Sequence, residues 1–91
     1  MAGKKILTKH PQGKSGRSID RDKYDTMTAA MRSALQGGEL THTELMDRLK
    51  ADLDGKFDGN VSWYAETVKL DLEARRTIER TAGKPQRYRL R

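Results

Sequence analysis

The chain has 91 residues, 34% of them apolar and 35% charged, and carries a net charge of +6. That length holds one domain with a modest core, and the lack of cysteine excludes disulfides, thiolate metal sites and a cysteine nucleophile. The charge is uneven: residues 1–19 hold five bases and no acid, residues 20–60 are net −3, and residues 61–91 are net +4. Two basic ends around an acidic middle suit a surface that meets a polyanion on one side.

Residues 1–18 read as a flexible basic tail, because Gly3, Pro11, Gly13 and Gly16 are scattered among Lys and Ser with no period of 2 or 3.6. Ile6 and Leu7 are its only large apolar residues after the basic pair, too few for the apolar stretch of a signal peptide. No later segment approaches membrane-spanning length, so a soluble, cytoplasmic protein without membrane contact is expected. Residues 19–91 form the expected domain.

Its first helix starts at Asp20, a good N-cap residue, and runs to about Gln36. Tyr24, Met27, Met31, Ala34 and Leu35 fall on one stripe, and Gly37-Gly38 supplies the stop. After an extended link at Glu39-Leu40, Thr41-His42-Thr43-Glu44 matches a capping box and opens a second helix with Leu45, Leu49 and Leu53 inward. Gly55 ends it, and Phe57 is placed to plug the core. A third helix begins at Asn60 or Ser62 and continues to about Arg75, with Val61, Ala65, Val68 and Leu72 inward. Two short strands follow around Gly83-Lys84-Pro85. Ile78, Tyr88 and Leu90 face one way, and Arg87, Arg89 and Arg91 the other.

The run Val68-Lys69-Leu70-Asp71-Leu72-Glu73-Ala74-Arg75-Arg76-Thr77-Ile78-Glu79-Arg80, then Gly83-Lys84-Pro85 and Arg87-Tyr88-Arg89-Leu90, resembles the third helix and wing of winged helix-turn-helix regulators. The resemblance covers residues 20–91, and the whole chain is similar to small bacterial proteins of unknown function assigned to that fold. It implies an α+β, mostly helical winged helix: three helices and a C-terminal two-stranded β-hairpin wing. One departure is Arg76, where the family commonly has Gly at the end of the third helix. Either Arg76 takes a positive φ, at a cost on the order of 1 kcal/mol, or the helix exits differently.

The resemblance further implies double-stranded DNA as partner, with the third helix in the major groove and the wing on the backbone, as in a small transcriptional regulator. Carried over by position, the groove residues are Ser62, Trp63, Glu66, Thr67 and Lys69, and the wing residues are Arg80, Lys84, Arg87 and Arg89. The tail bases Lys4, Lys5, Lys9, Lys14 and Arg17 would track phosphates. A second reading stays open. On a helical wheel the outward face of the third helix carries Trp63, Glu66, Leu70, Glu73 and Ala74, where a DNA-reading face usually shows Arg, Lys, Asn or Gln. Trp63 and Leu70 make an apolar patch that Ile6 and Leu7, a second copy of the chain or a partner protein would cover.

An enzyme is not expected, nor any metal or cofactor. His10 and His42 lie far apart without carboxylates at ligand spacing. Asp20, Asp22 and Asp25, and Asp52 and Asp54, sit at helix ends where carboxylates are ordinary surface residues.

Overall fold

The computed structural model, which describes residues 4–14 and 16–91, contains three helices and five short strands among those residues. In chain order these are β1 (Lys5–Leu7), β2 (Ser18–Asp20), α1 (Arg21–Leu35), β3 (Leu40–Thr41), α2 (His42–Leu53), α3 (Val61–Ala74), β4 (Ile78–Arg80) and β5 (Arg87–Leu90). The apolar stripes of the three helices meet in one core. Met27, Met31, Leu45, Leu49 and Val68 are fully buried at its centre, and Ile78 closes it from β4. No helix among the described residues is long and apolar enough to cross a membrane.

The helix ends follow local chemistry. At α2 the capping box forms as expected: the Glu44 amide donates to Thr41 Oγ1 at 3.2 Å, and the Thr41 amide donates to Glu44 Oε1 at 2.8 Å. These bonds from Thr41 lower the pKa of the Glu44 carboxyl. At α3, Asn60 caps by accepting from the Trp63 amide at 2.9 Å. Asp20 is the N-cap of α1, but its side chain makes no capping bond. It lies 3.7 Å from the Lys5 ammonium instead, and the Arg21 amide donates to the Lys4 carbonyl.

Arg76 does adopt the left-handed conformation, with φ 63°. The Arg76 amide donates to the Glu73 carbonyl and the Thr77 amide to the Leu72 carbonyl, which is the bond pair of a Schellman motif. Glycine enters that conformation without a Cβ penalty, so Arg76→Gly is expected to raise stability by about 0.5–1 kcal/mol. A thermal melt should show a gain of a few degrees; an unchanged or lower Tm would mean that the Arg76 side chain holds something its φ does not reveal.

Two features depart from the sequence reading. The terminal hairpin is one part of a three-stranded antiparallel sheet ordered β3-β5-β4, because Leu40 and Thr41 pair with Tyr88 and Arg87 on the free edge of β5. And where an unpaired tail was expected through residue 18, β1 pairs antiparallel with β2, Ile6 opposite Ile19. Ile19 is buried and Ile6 half-buried against α1 and its neighbours, so one apolar residue per strand anchors the hairpin to the core. Three-residue strands that each bury a single apolar residue, fully or in part, are too short to show an alternation. Residues 1–3 and 15 of that segment lie outside the described residues.

Candidate functional site

Helix α3 is packed on its inner side, and its outer side lies between two β-structures. On one flank stands the β4–β5 hairpin. On the other is the loop that joins β1 to β2, described at residues 8–14, 16 and 17. Lys9, His10 and Arg17 of this loop border a cleft of about 190 Å³ with Thr67 and Leu70 of α3. A larger, open cleft of about 450 Å³ runs from Leu7 and His10 past Lys14 to Ala74.

The loop is braced at its base. Thr8 is buried, its amide donates to the Arg17 carbonyl at 2.9 Å, and its Oγ1 accepts from the Arg17 amide at 2.8 Å. The Lys9 amide donates to Oδ1 of Asp71 at 2.8 Å. Asp71, on α3, is 0% exposed and also accepts from the Tyr24 hydroxyl at 2.5 Å and from Arg75 Nε at 2.9 Å. One carboxylate thus ties the loop, α1 and α3 together. Burial and the bond to Asp71 push the Tyr24 hydroxyl up to about 12, and the same carboxylate raises the pKa of the Arg75 guanidinium. Asp71 was not singled out in the sequence. Its signal was there, one wheel step off the Val68/Leu72 stripe with Arg75 at i+4.

Of the groove candidates, Trp63 is 45% exposed and sits edge-on to Tyr64 at 4.9 Å between ring centroids. Ser62, Glu66 and Thr67 are half-buried. Lys69 does not belong with them. It is 2% exposed, donates from Nζ to the Tyr88 hydroxyl at 3.0 Å, stands 4.3 Å from that ring's centroid and pairs with Glu66 at 3.3 Å. Its long side chain lies on the α3 flank that faces β5, so its charge is spent inside the fold. Ile6 and Leu7 do not cover the outer patch: Ile6 packs on the core and Leu7 is 67% exposed. The loop beyond them lies against Leu70, and Trp63 remains open.

On the β4–β5 hairpin most arginines are already engaged. Arg80 pairs with Glu73 and stands 5.6 Å from the centroid of the Tyr88 ring. Arg89 bonds Glu79 and Glu39, at 2.5 and 3.1 Å, and Arg91 lies 3.7 Å from Glu79. Glu73 raises the pKa of the Arg80 guanidinium, and Glu79 followed by Glu39 raises that of Arg89. Among the described residues Lys84 and Arg87 are exposed with no ion pair. The same is true of Lys4, Lys9, Lys14 and Arg17 at the N-terminal hairpin, whereas Lys5 faces Asp20. No group of three or more metal-ligating side chains occurs among the described residues.

A family of unknown function (DUF6958) matches residues 5–88, a span that takes in the N-terminal hairpin together with the helices, β4 and the first half of β5. No curated protein and no solved structure matches the chain.

Proposed function

From a chain that belongs to a family of unknown function, and on the geometry of its own α3, we propose a small winged-helix protein that binds double-stranded DNA and acts as a cytoplasmic transcriptional regulator. The element order carries the reading. A helix, a short strand, two helices and a hairpin follow one another, and the short strand joins the hairpin's far strand. In that arrangement the third helix is the one offered to a major groove. Ser62, Trp63, Glu66 and Thr67 would meet base edges, while Lys84 and Arg87 of the hairpin and the free cations of the N-terminal loop would meet phosphates.

The test uses the single tryptophan. A labelled mixed-sequence duplex is titrated at low and at near-physiological salt, following duplex anisotropy and Trp63 emission together. The expected result is salt-weakened binding with a change at Trp63, since the indole lies on the proposed contact face. Absence of binding at low salt, for a chain of this charge, would overturn the reading.

One observation favours a second function. The outer side of α3 holds no free Lys or Arg, yet leaves Trp63 open beside Leu70, as a protein-binding helix does. On that reading α3 docks a second copy or a partner protein, and sedimentation would find a dimer that duplex does not dissociate.

A further inference from the structure

We propose that the braced N-terminal loop, through its described residues 8–14, 16 and 17, is the main phosphate-gripping element, taking the part that the C-terminal wing would be expected to play. This rests on the DNA reading above and deepens it.

The first ground is the balance of charge. Four of the five cations on residues 4–17 have no ion pair among the described residues, while Arg80, Arg89 and Arg91 of the C-terminal hairpin stand against Glu73, Glu79 and Glu39. A guanidinium already facing a carboxylate brings little net charge to a phosphate, and it must give up its partner to bind. An unpaired surface cation releases condensed counterions from the duplex at no such cost.

The second ground is position. Lys9 and His10 line both clefts beside α3, Lys14 lines the larger and Arg17 the smaller, so the loop's donors follow one flank of the helix proposed for the groove. His10 Nδ1 accepts from the Gln12 amide at 3.1 Å, which leaves the Nε2–H of the neutral ring as a further donor.

The third ground is order. Asp71 holds the Lys9 amide, the Thr8–Arg17 bonds close the base, and a turn bond from the Gly13 amide to the His10 carbonyl closes the tip. A loop arranged before contact loses less entropy on binding than a free tail would. Phosphates spaced along a duplex strand beside α3 are the ligand that such a row of cations fits.

The experiment compares the wild type with Lys9→Gln/Lys14→Gln/Arg17→Gln and with Lys84→Gln/Arg87→Gln, using one labelled mixed-sequence duplex over a range of salt. All replaced residues are exposed, and far-UV circular dichroism checks that each variant is folded. The loop variant is expected to lower the slope of log K against log salt by about three units, and the hairpin variant by no more than about two. A loop variant with the wild-type slope, or a hairpin variant that loses more than the loop variant, would overturn the proposal while leaving DNA binding standing. A wild type that binds no duplex but self-associates would instead remove the DNA reading, and this inference with it.

Discussion

Asp71→Ala is expected to cost about 3 kcal/mol of folding stability. The carboxylate is fully buried and accepts from three elements, and hydrogen bonds to a charged group contribute about 1.5–3 kcal/mol each. Its loss leaves the Tyr24 hydroxyl without that acceptor, whereas Arg75, whose side chain is 34% exposed, can turn to water. That relief keeps the cost below the upper end seen for broken buried ion pairs. For a domain of this size 1 kcal/mol corresponds to about 4–8 °C, so a thermal melt should shift down by more than about 10 °C. A shift of only a degree or two would mean that the three partners find other acceptors.

The wild type should also carry a pH signature of the same cluster. Tyr24 ionises at about 12 in the fold against 10.0 for the ordinary phenol, so the folded state holds its proton more tightly than the unfolded chain. The sign follows: this contribution is complete below the unfolded value and is lost as pH rises toward about 12. Denaturant melts should weaken over that window, and Tyr24→Phe should lose that part of the pH dependence.

Gly16→Ala is expected to open the N-terminal hairpin at a cost of about 2–3 kcal/mol, with the helices left in place. A Cβ on Gly16 would lie 1.9 Å from the Thr8 carbonyl oxygen and 2.5 Å from Thr8 Oγ1. Because the first of these is backbone, no rotamer change relieves the clash. The chain must separate where the Thr8 amide meets the Arg17 carbonyl and the Arg17 amide meets Thr8 Oγ1. Two bonds worth about 1 kcal/mol each are lost, together with the burial of Thr8. Amide exchange should report the change locally, with the Thr8 and Arg17 protons losing protection and those of α2 retaining it. Protection unchanged at both sites would show that the loop closes by other contacts.

The contrast between what was and was not legible follows the range of the interactions. The capping box at Thr41, the helical stripes and the stop at Gly37-Gly38 are decided within a few residues, so the sequence by itself determined them, whereas for Arg76 it left two exits open and the structure takes the left-handed one. The inward set of β4 and β5, Ile78 with Tyr88, also followed from alternation across a short turn. Charge told less, because a Lys or Arg reads as exposed until its neighbours are known. Lys69 is enclosed by Tyr88, 19 residues on, and Arg89 is matched by Glu39, 50 residues back. The Lys9 amide reaches Asp71 across 62 residues. Only the tertiary structure could decide which cations are neutralised and which remain free. A charge interaction depends on the distance and the medium between two groups, and the packing of the elements sets both.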